Sequence, residues 1–351
     1  MCGYLGDNPR LFAIYTQFIH KIMHLTQKKV VMIGGGTGSF TVLSGLKLFR
    51  DLDLTAIVTM SDNGGSTGKL RDELGVLPPG DARQCLVALS ESPEIMRQLF
   101  TYRFDSGELS GHNFGNLFLS ALEKITGNFE EALETASHVL SIRGQVLPVT
   151  TNNVNLKAVL SDGTVVEGED RIGDTDLGTN PVKELSLFPQ PKLNDAARTA
   201  ILEADLVVIG PGNLYCSLLP ALIVPGMKEA LQETSARVVY NVNLMAKFEH
   251  CPNWSVERFI QEVQHELGAS TIDVALYNTR QPEAELVQKY AHEGAPVLRE
   301  GNSLSLGKTR LIGTDLLAEE IFVNTNKKDP LVRTLIRHDS MKIARALYQL
   351  I

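Results

Sequence analysis

"KKVVMIGGGTGSF", Lys28 to Phe40, decides the fold. An apolar, β-rich run ends in three consecutive glycines, and "FTVLSGLKLF" follows at helical spacing. The stretch therefore predicts a buried strand, a tight glycine turn and the start of a helix. A second apolar run, "LTAIVTM" (Leu54 to Met60), comes directly after. Strand, helix and strand in that order make a β-α-β unit, which demands a parallel sheet with a right-handed crossover. The same pattern resumes with "DLVVIGPGNLY" (Asp205 to Tyr215), a helix near "VPGMKEALQET", "ARVVYNV", a helix "VERFIQEVQHEL", "IDVALYN" and a helix "PEAELVQKYAHE". Between the two blocks, Asp81 to about Gly144 is patterned as helices. "QVLPVT", "NLKAVL" and "TVVEGE" then alternate as strands, with Ser161 to Gly163 turning a hairpin. The polar stretch from Asp170 to Pro191 is an excursion or a flap. The expectation is an α/β chain: a Rossmann-like, doubly wound parallel sheet in a single domain over residues 28–351, with a helical and β-hairpin insertion at about 85–200.

A chain of 351 residues can bury a substantial core. Its net charge of -8 and pI near 5.6 give no bulk attraction to nucleic acid or acidic lipid, which favours a small-molecule ligand. Cys2, Cys85, Cys216 and Cys251 are far apart, with no C-x-x-C pair, and no H-E-x-x-H occurs. Zinc and a disulfide framework therefore lack support, and a reducing cytoplasm is expected. Residues 1–27 form an N-terminal extension. Its apolar "LFAIYTQFI" (Leu11 to Ile19) is interrupted by Thr16 and Gln17 and lacks a small-residue cleavage site, against a signal peptide. It is also too short to span a bilayer. The extension reads as an accessory helix or as the product of an upstream start, Met23 being the alternative.

Three glycine-rich loops follow predicted strands: Gly34 to Gly38, Ser61 to Gly68, and Gly210 to Asn213. Ligands of open parallel sheets sit beyond the carboxyl ends of the strands, where such loops converge. Gly34, Gly35, Gly36, Thr37 and Gly38 suit a phosphate approached closely by backbone at a helix start, as do Gly210, Gly212 and Asn213. The dinucleotide fingerprint is only partial, because Ser39 stands where its third glycine would be. Glycines that merely permit a tight turn are the alternative. "SDNGGSTGKLRDELG" (Ser61 to Gly75) is not a P-loop: Leu70 follows Lys69 where a hydroxyl residue is needed, and Asn63 occupies the position of the first glycine. Asp62, Asn63, Gly64 and Gly65 instead stand where a Rossmann-like protein contacts ribose or ligand. Asp62 can bind a hydroxyl or a hard cation such as magnesium, or cap a turn. "PPGDARQ" supplies Asp81, best placed as a helix cap, and Arg83, a fork for phosphate or carboxylate. "SGHNFGN" puts His112, Asn113 and Asn116 at a helix entrance, and His112 can serve as acid, base or hydrogen-bonding scaffold.

Together "GGGTG", "SDNGGSTGKLR", "PPGD.R", "LSGHNFGN", "RGQVLPVT" and "VIGPGNLY" with its "VPG" resemble, in order, the CofD-like superfamily, specifically its YvcK-type gluconeogenesis factors. The resemblance runs from about Lys28 to the carboxyl end. It implies a Rossmann-like core, a cytoplasmic location, and a role in cell morphogenesis and growth on gluconeogenic carbon sources. It also implies binding of the peptidoglycan precursor UDP-N-acetylglucosamine, which leaves room for a protein partner in envelope synthesis and for a homo-oligomer. "QKYAHE" and "IRHD" resemble that family's nucleotide-sugar contacts, matching Tyr290 and Arg337. Tyr can stack on uracil and Arg can bridge a diphosphate. CofD relatives are magnesium-dependent transferases of a phospholactyl group, so a phospho-transferase is the alternative. The family's "ADDGG" is "SDNGG" here, with Asn63 in place of the second acid. That change removes a charge from the place of a metal or acceptor and weighs against catalysis.

Overall fold

The computed structural model describes residues 27–319 and 336–351, so residues 1–26 of the extension lie outside the described residues. β1 (Lys28–Gly34) and β2 (Leu52–Val58) pair in parallel, from Lys28 opposite Leu52 to Gly34 opposite Val58, and α1 (Gly36–Leu46) connects them. Helices α2 (Gly65–Leu74), α3 (Gly80–Leu89), α4 (Glu94–Thr101), α5 (Phe114–Thr126) and α6 (Phe129–Val139) follow. β3 (Gln145–Pro148) then returns to the sheet beside β2. A separate antiparallel sheet comes next, built from β4 (Asn155–Leu160), β5 (Val165–Glu167) and β6 (Val182–Phe188), with the short α7 (Glu169–Gly173) inside it. The interval 85–200 is thus two excursions, one helical and one β, separated by a strand of the main sheet. The polar stretch after Asp170 holds most of α7 and the whole of β6, and β4 and β5 form the expected hairpin.

α8 (Asp195–Leu202) leads into β7 (Leu206–Ile209), which lies on the other side of β1. A π-helical turn (Leu214–Leu218), α9 (Leu219–Leu222) and α10 (Met227–Glu233) precede β8 (Arg237–Asn241). β9 (Met245–Lys247), α11 (Val256–Leu267), β10 (Val274–Asn278), α12 (Ala284–Lys289), β11 (Gly294–Pro296), β12 (Ser305–Leu306) and β13 (Thr309–Thr314) follow, and α13 (Ser340–Tyr348) ends the chain. The main sheet has the order β12-β13-β10-β8-β7-β1-β2-β3 and is parallel except at its β12 edge.

Burial explains why the two sheets read differently in sequence. The last five residues of β1 and all of β7 are buried, as parallel strands covered on both faces require. β4 alternates buried with half-buried or exposed residues, the mark of an antiparallel strand with one wet face. Each fully buried Ile, Leu or Met of the central strands, such as Met32, Ile33 and Ile57, contributes about 1.5–3 kcal/mol relative to exposure. One rigid layer therefore fixes where the strand ends point.

The topology has a direct consequence for function. From β1 the chain steps outward to β2 and β3, whereas β7, β8, β10 and β13 build outward in the opposite direction. Strand order therefore reverses between β1 and β7. Loops leaving two such strands diverge to opposite faces, which opens a crevice at their carboxyl ends.

Candidate functional site

The two loops at this switch point touch. Gly38, in the first turn of α1, lies so close to the loop after β7 that a Cβ there would fall 1.8 Å from the Pro211 carbonyl oxygen. Only glycine allows that approach. Beyond it, Asn243 Nδ2 donates to the Gly212 carbonyl at 2.9 Å, and Asn213 accepts from Cys216 N–H at 3.3 Å to cap the π-helical turn. The residues predicted at Gly34 to Gly38 and at Gly210 to Asn213 are thus brought together. Helix starts here lack a side-chain cap, as do those of α3, α4, α7, α9, α10 and α12. α1 and α2 begin after Gly35 and Gly64 with no side-chain cap, whereas Asn113, Asn128, Asn194, Ser255 and Asp339 cap α5, α6, α8, α11 and α13. Asp81 takes the Gly36 N–H that opens α1 and Asp62 takes the Gly64 N–H just before α2, while no N-cap side chain covers the N–H groups that follow.

The second loop carries the charge. Asp62 accepts from Gly64 N–H at 2.9 Å. Burial pushes its carboxyl upward, against the opposing pull of that bond, the Thr67 hydroxyl, Arg71 and Arg83. Asp81 is not the cap expected of it. Pro79 occupies the N-cap position of α3, and the Asp81 carboxylate reaches across to the first loop instead. It accepts from Gly36 N–H, and a Cβ on Gly35 would collide with its Oδ2 at 2.0 Å. Burial, with the charge of Asp62 added, pushes Asp81 up to about 7. Glu169, on α7 of the β excursion, is pushed up to about 8 by burial and by the charges of Asp62 and Asp81. Three carboxyls from three parts of the chain thus feel one another at the crevice. They are hard oxygen donors of the kind magnesium takes. Among the described residues, however, no group of three or more Asp, Glu, His or Cys side chains is arranged to hold a metal ion. The protein supplies donors here without a preformed cage, and no chemical step is routed through a metal.

Behind the loop lies a buried polar network. Arg83 Nε donates to Asn116 Oδ1 at 2.8 Å, and its Nη1 reaches the Phe100 carbonyl at 3.4 Å. Asn116 Nδ2 reaches Ser66 Oγ at 3.5 Å and Thr67 Oγ1 at 3.4 Å, and Asn113 Oδ1 accepts from Asn116 N–H at 3.2 Å. Ser66 Oγ also takes the Asn113 N–H and lies 3.3 Å from His112 Nδ1, the ring itself being buried. This geometry suits His112 as scaffold, and it engages part of the Arg83 fork inside the protein. Arg71, absent from the sequence expectation, is buried and ties α2 to β4 through the Val154 carbonyl (2.6 Å) and Asn155 Oδ1 (2.8 Å).

Tyr290 and Arg337 form a separate group on the β10–β13 side of the sheet. Tyr290 packs on a small apolar cluster of Leu244, Leu317 and Ile336, and the Arg337 carbonyl accepts from Ala318 N–H. Leu244 adjoins Asn243, so the strip from Gly212 through Asn243 links this group to the switch point. Asp81, Glu169, Arg71 and Asn243 are the residues that sequence reasoning missed. Only Asp81 had a signal, its place in "PPGDAR". A polar depression of about 620 Å³ lies elsewhere, lined by Arg237, Asp273 and their neighbours at the amino ends of β8 and β10. It faces the edge opposite the glycine loops. No single helix among the described residues is long and apolar enough to cross a membrane.

A family model described as 2-phospho-L-lactate transferase CofD matches residues 30–317. A relative from Nostoc sp. is 39% identical over 322 residues, which are 91% of this chain and 68% of the relative. The gluconeogenesis factor of Bacillus subtilis is 37% identical over 330 residues, 92% of this chain and 98% of that protein. A crystal structure of a UPF0052-family protein from Bacillus halodurans matches with a TM-score of 0.84 and 36% identity, over 92% of this chain and 99% of the other. The chain therefore belongs to the CofD family, in the branch of the YvcK-type gluconeogenesis factors.

Proposed function

We propose that this chain is a cytoplasmic nucleotide-sugar-binding regulatory factor, with UDP-N-acetylglucosamine as its ligand. In this reading it links carbon supply to envelope synthesis, through a protein partner and as a gluconeogenesis factor needed for cell shape. One observation carries the binding reading: two helices whose N-cap residues are glycines open on a crevice at the topological switch point. Backbone N–H groups at such helix starts suit a diphosphate. Tyr290, half-buried on the same strip, would stack on the base, and Arg337 would bridge the diphosphate.

A second reading, a magnesium-dependent phospho-transferase, is favoured by the three interacting carboxyls Asp62, Asp81 and Glu169. Against it, the Asn63 side chain is engaged by the backbone of the β excursion. Thermal shift and calorimetry with UDP-N-acetylglucosamine separate the readings when combined with an assay for nucleotide released from an activated donor with magnesium. Binding should raise stability by about 2.7 kcal/mol at a hundredfold excess over Kd. Tyr290→Ala and Arg337→Ala should each weaken it. No stabilisation by any nucleotide sugar would overturn the proposal, and magnesium-dependent turnover lost in Asp62→Ala would replace it with the transferase.

A further inference from the structure

We propose that Asn63 is a positioning residue: its amide latches the Gly168–Gly173 segment over the switch-point crevice and so places the Glu169 carboxyl as a ligand-facing group beside Asp62 and Asp81. The latch rests on geometry, and the role given to Glu169 rests on the nucleotide-sugar reading above.

Asn63 Oδ1 accepts the Asp170 N–H at 3.0 Å, across more than a hundred residues of chain. The amide sits directly over the Gly168 backbone, where a Cβ would fall 2.8 Å from Asn63 Nδ2. Gly168 holds φ at 103°, which favours glycine, and its own N–H returns to Leu156 of β4 at 2.8 Å. Other loops of the same edge grip the segment too. Cys216 Sγ, just past the third glycine loop, lies 3.7 Å from the Glu169 carbonyl, and His250 Nε2 lies 3.0 Å from the Gly173 carbonyl. Gly178 N–H then donates to the Glu249 carbonyl at 2.8 Å. A five-residue helix from the β excursion is thereby clipped to the loops after β2, β7 and β9. The carboxyl it delivers is close enough to Asp62 and Asp81 for their charges to act on it.

An amide serves this position better than a carboxylate. Asn supplies the acceptor that Asp170 N–H needs without adding charge beside Asp62, Asp170 and Glu169, where a further carboxylate would be repelled. The neutral residue therefore has a positive role, because it lets an acidic segment dock on an acidic loop.

The test combines hydrogen exchange of the 168–173 segment with calorimetry of UDP-N-acetylglucosamine on wild type, Asn63→Ala, Asn63→Asp, Glu169→Gln and the Asn63→Ala/Glu169→Gln double variant. Asn63→Ala should speed exchange at the Asp170 amide and weaken binding about fivefold, the scale of one lost neutral hydrogen bond. Asn63→Asp, which keeps the acceptor, should retain more of the exchange protection. The double variant should bind no more weakly than Glu169→Gln alone, because Asn63 acts through Glu169. Unchanged exchange in Asn63→Ala would overturn the latch, and additive losses in the double variant would overturn its coupling to Glu169. Should wild type not bind the nucleotide sugar, the functional reading and the role of Glu169 fall with it. Exchange then decides the latch alone: faster in Asn63→Ala supports it, and equal overturns it.

Discussion

Asp81 and Glu169 are the residues whose chemistry is most altered by their place. Both carboxyls stay protonated in the folded protein well above the ordinary carboxyl range, to about 7 and about 8. Between about pH 4 and those values the folded state binds more protons than the unfolded chain, so stability falls as pH rises through that window. Thermal melts from pH 5 to 8.5 should show this decline, and Asp81→Asn, which mimics the neutral form, should flatten part of it. A variant profile parallel to wild type would show that Asp81 is an ordinary exposed acid. The same residue marks the limit of sequence reasoning. As the second residue of α3 it resembles a helix-start acid, and nothing local reveals that its carboxylate reaches the Gly36 N–H on another loop. Glu169 gave no signal at all, because its neighbours in space come from remote loops. Asn63 read as a ligand contact and a lost charge, not as a latch, since its partner, Asp170 N–H, belongs to a segment that read as an excursion or a flap.

At the scale of elements, the strand–glycine–helix units were legible because each signal is local: a buried run, a tight turn, a helical period. β1, α1, β2, β7 and the turn beyond β7 appear where the pattern put them. β6 was hidden, because its mixed burial gives no clean alternation. The contact between α1 and the loop after β7 could not be read either, for sequence shows the glycines but not what approaches them. It can be tested directly. Gly38→Ala forces a methyl against the Pro211 carbonyl, so the loops must part. The expected cost is about 1–3 kcal/mol of stability, as for other overpacked sites, together with loss of nucleotide-sugar affinity. Gly163→Ala, in the exposed hairpin turn with open space around it, should leave binding intact despite its own backbone strain. Equal losses of affinity in both variants would show that the Gly38 contact has no special part in the site.

For the whole molecule, the reversal of strand order between β1 and β7 opens the crevice proposed above for the ligand, in a chain of the CofD family. The polar depression of about 620 Å³ at the amino ends of β8 and β10 is the rival location. In the proposed function a nucleotide sugar spans the carboxyl edge, from the glycine loops to the strip bearing Tyr290. Hydrogen exchange with mass spectrometry, with and without saturating UDP-N-acetylglucosamine, tests it most directly. Ligand-induced protection is expected in residues 34–40, 62–68, 210–217 and 286–294, with residues 231–238 and 270–273 unchanged. Protection confined to 231–238 and 270–273, with the glycine loops exchanging as they do in the free protein, would contradict it.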